Sequence, residues 1–145
     1  MLVHITTDII DVARHYAEFA RQNSQVGAVA MFAGRVRGDE QDSLTLEHYP
    51  NMTEKQLSNI LQRAEERFSL LDGLVIHRIG RMTPTEDIVL VLAAAKHRHH
   101  AIHAVDFIMD YLKTEATFWK KEVIQGQSQW VDARSSDTIA KNRWT

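Results

Sequence analysis

The sequence predicts an α+β sandwich, with helices packed against a mostly antiparallel sheet. Three observations carry this. Strand-like and helix-like segments alternate irregularly along the chain rather than as strict βα repeats. Ile88-Val89-Leu90-Val91-Leu92 is apolar without alternation, which suits a central strand covered on both faces. Leu57, Ile60, Leu61, Ala64 and Phe68 recur at helical spacing, which suits a helix laid on that sheet.

Taken in order, Thr7-Asp8 can cap a first helix running to about residue 22, with Ile9, Ile10, Val12, Ala13, Tyr16 and Phe19 on its apolar side. Residues 27–36 read as a strand with both faces covered, leaving through the polar loop Arg35-Val36-Arg37-Gly38-Asp39-Glu40-Gln41-Asp42. Residues 44–49 alternate as a second strand. Pro50-Asn51 turns the chain into the second helix, where Thr53 and Gln56 match a capping box and Met52 and Leu57 a hydrophobic staple. Residues 74–79 and 87–94 read as strands three and four, joined through residues 80–86. A long third helix is expected from about residue 99 into the 113–120 region, with Ile102, Val105, Met109, Leu112, Ala116 and Trp119 as its stripe. Gly126 ends that pattern, and residues 130–134 can form a short last strand.

The 145 residues suit a single domain, 1–145. With 44% hydrophobic and 25% charged residues the composition is that of a globular protein. A formal net charge of -2 argues against a nucleic-acid coat. The absence of cysteine excludes disulfides, thiolate metal sites and a cysteine nucleophile. Sulfur chemistry, if present, needs sulfur from outside the chain. No signal peptide and no transmembrane-length apolar run is seen, so a cytoplasmic protein without membrane contact is expected.

Cationic side chains collect at three predicted element ends: Arg35 and Arg37, then Lys96, His97 and Arg98, then Lys113 and Lys120. If these ends converge they make an anion pocket, because the planar arginine fork suits phosphate or carboxylate. Taken singly, each is better read as a solvated charge. Lys113 and Lys120 are seven residues apart, close to two turns of a helix, so one helix would project both amines from nearly one face. Two like charges there disfavour full protonation of both. A lysine tuned in this way can form covalent adducts, transfer protons or hold an anion. The plain alternative is a solvated basic stripe. Of the eight histidines, His99 and His103 have i, i+4 spacing, but without further ligands no metal site and no cofactor is expected. Walker, dinucleotide-binding and Gly-x-Ser-x-Gly signatures are missing.

Six blocks in order resemble one family: Phe32-Ala33-Gly34-Arg35-Val36-Arg37, the segment 46–55, Ile76-His77-Arg78-Ile79-Gly80, His97-Arg98, the run 110–122, and Trp130-Val131-Asp132-Ala133-Arg134. Together they are similar to the large, catalytic subunit of molybdopterin synthase. The resemblance implies a hammerhead-type α+β fold and sulfurtransferase activity in molybdenum cofactor biosynthesis. It implies a ubiquitin-like sulfur-carrier small subunit, whose C-terminal Gly-Gly thiocarboxylate enters a pocket of the large subunit. Sulfur would pass to cyclic pyranopterin monophosphate, giving the dithiolene of molybdopterin. It also implies a homodimer at the centre of a heterotetramer. The residues carried over are Lys113 and Lys120 as catalytic lysines, with Arg35, Val36, Arg37, His97, Arg98, Lys121, Glu122 and Arg134 at the substrate pocket. Thr117 stands where the family often has proline, Arg35 where it often has lysine, and Asn51 where it often has glycine. The rival reading is a non-catalytic binding module for a ubiquitin-like partner; retention of both lysines argues against it.

Overall fold

The computed structural model describes residues 1–131 and 135–145. Two four-stranded sheets carry the architecture. The first has the order β1-β4-β6-β2, from Leu2–Thr6, Asp72–Arg78, Asp87–Ala95 and Ala28–Arg35. The second has the order β5-β3-β7-β8, from Gly80–Met82, Ser43–His48, Phe118–Ile124 and Gln127–Val131. Among these strands only β1 and β4 run parallel, so the sheets are mostly antiparallel as expected. The helices are α1 (Val12–Glu18), α2 (Met52–Phe68), α3 (Arg98–Glu115) and α4 (Ser135–Asn142). Among the described residues no helix is long and apolar enough to cross a membrane.

The first sheet is the spine. Strand β6 lies between β4 and β2, with Leu90 to Ala95 all inaccessible, which bears out its central placement. On one face, Val75, Val89, Val91 and Ala93 pack against Leu57, Ile60, Leu61 and Ala64 of α2 and Ala104 and Ile108 of α3. On the other, Leu74, Ile76, Leu90 and Leu92 pack against Ile10, Val12 and Phe19. Burial of these aliphatic side chains supplies most of the drive to fold. A third cluster, Val36, Leu44, Leu46 and Met82 with Ile88 against it, joins the two sheets.

The structure corrects several sequence expectations. The chain starts with a strand, since Leu2 to Thr6 pair in register with Leu74 to Arg78. The first helix is shorter than expected and is capped by Asp11, whose carboxylate accepts from the Arg14 N–H at 3.1 Å. Ile9 (77% exposed) and Tyr16 (50%) stand in solvent, while Ile10, Val12 and Phe19 of the same segment pack against the sheet. Strand β2 is an edge, so its faces are not both covered: Met31 is 49% and Phe32 39% exposed. The 80–86 connection contains the short strand β5, and α4 follows β8. Of the proposed last strand, 132–134 lie outside the described residues.

The capping box is also corrected. Helix α2 starts at Met52, with Asn51 at φ 70° as its cap and no side-chain capping bond. Met52 is half exposed, so no staple forms. Thr53 is fully buried instead. Its hydroxyl accepts from the Tyr49 N–H at 3.0 Å and donates to the Thr117 carbonyl at 2.8 Å. The Gln56 amide grips Thr117 twice: Oε1 accepts its N–H at 2.8 Å, and Nε2 donates to its hydroxyl at 3.0 Å. A proline at 117 could make neither of the Gln56 bonds.

This clamp terminates the third helix. It stops at Glu115 rather than running through residue 120, and after Ala116-Thr117 the chain becomes β7. The buried face of α3 is Ala101, Ala104, Val105, Phe107, Ile108, Tyr111 and Leu112; Ile102 and Trp119 of the expected stripe are exposed. Strands β7 and β8 meet at Gln125-Gly126, whose φ values of 52° and 81° suit a two-residue hairpin turn with two left-handed positions.

Removing the clamp should be costly. Two hydrogen bonds between partly buried groups predict that Gln56→Ala lowers stability by about 1–3 kcal/mol. Gln62→Ala, on the exposed side of the same helix, should stay within about 0.5 kcal/mol of the parent. Urea unfolding of the two variants checks this.

Candidate active site

Between the sheets, at the C-terminal end of α3, lies a cleft of about 650 Å³. Its floor is Leu44 and Leu46 of β3, Ile88 and Val89 of β6, and Phe118 of β7. Three cations line it: Arg35 at the end of β2, Lys113 in the last turn of α3, and Lys120 on β7. One carboxylate, Asp137 of α4, lines it as well, so the lining charge is net positive.

Lys113 and Lys120 therefore meet, but not as neighbouring turns of one helix. The helix delivers Lys113 and ends; the strand returns Lys120 to the same cleft. Strand alternation does the rest. Lys120 pairs with Leu46 on one side and Val131 on the other, and all three face the cleft. Lys121 pairs with Thr45 and Trp130 and belongs to the opposite face. Glu122 is back on the face of Lys120 and takes its amine at 3.4 Å.

The other expected residues are distributed differently. Arg35 follows a register shift at Gly34/Arg35, a bulge that re-aims the strand end. Its guanidinium donates twice to the Thr85 carbonyl, at 3.1 and 2.6 Å, and stands 3.6 Å from Asp87. Val36 is buried in the cluster joining the sheets, so its side chain is structural. Arg37 is exposed and is not among the cleft-lining residues. His97 and Arg98 are exposed at the opposite end of α3. Fifteen residues of helix separate Arg98 from Lys113, roughly 22 Å at 1.5 Å per residue. One chain thus cannot close both groups on one small ligand. Arg134 lies outside the described residues. His99 and His103 sit near the start of α3 with ring centroids 6.3 Å apart.

One cleft residue was quoted in the sequence only inside a motif: His77. It stands near the end of β4, opposite Val89. Its ring stacks on Phe118 at 3.9 Å and 18°. Burial holds its pKa down to about 4, and Lys113 and His48 add to this against a backbone bond to Arg78 that raises it. Nothing in sequence distinguishes such a histidine from an exposed one, because its chemistry comes from the ring above it and the helix end beside it.

This histidine makes stability depend on pH. The unfolded chain takes up a proton near pH 6.5, and the folded chain refuses it until about pH 4. The contribution is therefore complete above the unfolded pKa and is lost as pH falls toward the folded one. It amounts to ~3 kcal/mol. His77→Phe should remove that dependence, seen as a flatter fall in urea midpoint from pH 7 to pH 4.

The family model described as MoaE protein matches residues 5–115. The molybdopterin synthase catalytic subunit of Ralstonia nicotianae is 49% identical over 138 residues, covering 92% of this chain and 78% of that one. The solved molybdopterin biosynthesis MoaE protein from Burkholderia ambifaria superimposes with a TM-score of 0.85 at 45% identity, covering 98% of this chain and 96% of that one. A complex of subunits 1 and 2 of molybdopterin-converting factor from Helicobacter pylori contains a chain of the same fold, with TM-score 0.76, 20% identity and 92% coverage of each. The family model covers well over half of the chain, and the chain belongs to the MoaE protein family.

Proposed function

We propose that this chain is a sulfurtransferase, the catalytic subunit of a molybdopterin synthase. The cleft between its sheets would be where sulfur passes from a thiocarboxylated Gly-Gly tail to cyclic pyranopterin monophosphate. The observation that carries this is the convergence of Lys113 and Lys120, from two different elements, in one net-positive cleft. Both proposed reactants are anionic, and a half-closed cationic site favours them. The apolar floor of Leu44, Leu46, Ile88 and Val89 suits an extended glycine tail, which has no side chains to accommodate.

Lys113, at the helix end, stabilises the tetrahedral charge that develops at the thiocarboxylate carbon, or moves a proton there. It is also the candidate for a transient covalent link to the tail. Lys120 orients the substrate and, as a second cation, disfavours full protonation of Lys113. Glu122 holds Lys120 in place. The partner that brings the sulfur is a ubiquitin-like small subunit, in keeping with the two-subunit complex in which the Helicobacter chain of this fold occurs.

The pterin phosphate is held by Arg37, His97 and Arg98, and these are supplied across a homodimer. The edge strand β2 supports this. It exposes Met31 and Phe32, and Phe32 also lines the cleft, so a second copy seated on this edge would abut the cleft mouth. Such a dimer, with a small subunit at each end, is a heterotetramer.

Lys113→Ala should abolish sulfur transfer while the small subunit still binds. Lys113→Arg should fail too, because arginine keeps the charge but does not give up a proton. Mixing Lys113→Ala chains with Arg98→Ala chains should restore about a quarter of the sites, those pairing an intact lysine with an intact arginine from the other chain. Transfer assays on each variant and on the mixture, with partner affinity measured separately, test the scheme. Full turnover by Lys113→Ala refutes the lysine assignment. A mixture no more active than its components refutes the shared site.

A further inference from the structure

The turn between β5 and β6 is held more firmly than a connection needs. Thr85 stands at φ 78°, a conformation that costs a β-branched residue energy unless its surroundings impose it. Here they do. The Thr85 N–H donates to the Val36 carbonyl at 2.8 Å, the Val36 N–H to the Glu86 carbonyl at 2.9 Å, and the Glu86 N–H to the Thr83 carbonyl at 3.2 Å. The Glu86 carboxylate accepts the Thr83 N–H at 2.9 Å. Behind it stands Arg78, 5% exposed, which reaches the same carboxylate oxygen at 3.4 Å and the Thr7 carbonyl at 3.3 Å.

This buried pair is a poor stabiliser. Both arginine bonds are long, and Arg78 Nε is buried without a hydrogen-bond partner among the described residues. A guanidinium buried on such terms gains little over an apolar side chain. What the arrangement does is fix the direction of one carbonyl. The Thr85 carbonyl accepts from Arg35 twice, from Nε at 3.1 Å and from Nη2 at 2.6 Å. Asp87, opposite Arg35 across the bulge, adds an ion pair at 3.6 Å.

One edge of the Arg35 guanidinium is thereby spent on the protein. The second edge, Nη1 with the remaining N–H of Nη2, has no protein acceptor among the described residues, and Arg35 lines the cleft with Lys113 and Lys120. A flat pair of N–H groups matches the two terminal atoms of a carboxylate or thiocarboxylate. The lysine that the family often carries here could reach the Thr85 carbonyl, but would present no planar second edge. We propose that Arg78, Glu86 and Thr85 are positioning residues for Arg35, and that Arg35 receives the terminal carboxylate-type group of the incoming tail on its second edge. This rests on the reading of the cleft as the tail's site and adds to it the group that meets the tail's end and the turn that aims it.

The test uses the full chain as Glu86→Ala, Arg35→Ala and the double variant. The first measurement needs no ligand: solvent exchange of the Arg35 Nε–H in protein labelled with ¹⁵N-arginine. Glu86→Ala should speed that exchange about tenfold, and Glu86→Gln, which keeps an acceptor for the Thr83 N–H, should restore most of the protection. The second is calorimetric titration with the small subunit in its carboxylate form, with and without its Gly-Gly tail. Arg35→Ala and Glu86→Ala should each weaken the tailed form about tenfold and leave the tail-less form within about twofold. In the Arg35→Ala background Glu86→Ala should add nothing, because it acts through that arginine; a merely structural loss would add in both backgrounds. Should Glu86→Ala strand Arg78 and fail to fold, Arg78→Met/Glu86→Ala removes both charges and decides in its place. Unchanged exchange, or additive losses in the double variant, overturns the proposal. Faster exchange with unaltered affinity for the tailed form overturns the assignment of the tail's end to Arg35. A parent chain that binds tailed and tail-less forms alike contradicts the reading of the cleft instead, and the exchange rates still judge the positioning.

Discussion

The grip of α2 on Thr117 is the interaction on which the site depends. Thr53 and Gln56 take the carbonyl, the N–H and the hydroxyl of one residue, at the point where a helix must become a strand. A helix end leaves its last carbonyls unpaired, and a strand start leaves its backbone groups without a ladder. Placing that junction against a buried threonine and a glutamine answers part of both needs at once. It also sets the distance over which the chain reverses, and hence where the second lysine lands relative to the first. The core of α2 against the first sheet holds the clamp itself in place.

The consequence is a cleft whose chemistry is assembled from separate elements with separate rigidities. Lys113 comes from the end of a helix buried along one face. Lys120 comes from a strand held between two neighbours and is tied to Glu122. His77 comes from the first sheet and is oriented by β7 through Phe118. No one of these elements can move without disturbing another, which is the condition for holding two amines in a fixed mutual geometry. The C-terminal segment adds a further tie: Asp110 of α3 accepts from the Trp144 indole at 2.6 Å and from Arg143 at 2.8 Å. Trp144 in turn packs edge-on against Phe68 and Phe107. That brace keeps the segment bearing Asp137 beside the cleft.

Much of the fold was legible in the sequence. The central strand at 88–92 and the buried stripe of α2 follow from local pattern, because burial on two faces or on one leaves a period that can be read. What was not legible arose from tertiary demands. Thr53 and Gln56 have the spacing of a capping box, yet the side chains are taken by a residue more than sixty positions away. Residues 113–120 have a helical period, yet the clamp ends the helix between the two lysines. Lys113 and Lys120 were rightly paired for the wrong geometric reason: a strand of alternation two gives Lys120, not Lys121, to the cleft. His97 and Arg98 lie too far along α3 to join Lys113 within one chain, a separation already implicit in the long helix expected from about residue 99. His77 had no sequence signal of its own.

The corner at Ala116-Thr117 folds Lys120 back onto Lys113 while turning Lys121 away. The chain has no cysteine, so pairs can be introduced cleanly. The direct measurement is intramolecular cross-linking by a short dithiol-specific reagent in Lys113→Cys/Lys120→Cys and Lys113→Cys/Lys121→Cys proteins, each with and without Gln56→Ala. Rapid cross-linking of the 113/120 pair is expected, with little of the 113/121 pair and loss of that preference when the clamp is removed. Equal cross-linking of the two pairs in the otherwise unaltered protein would contradict it.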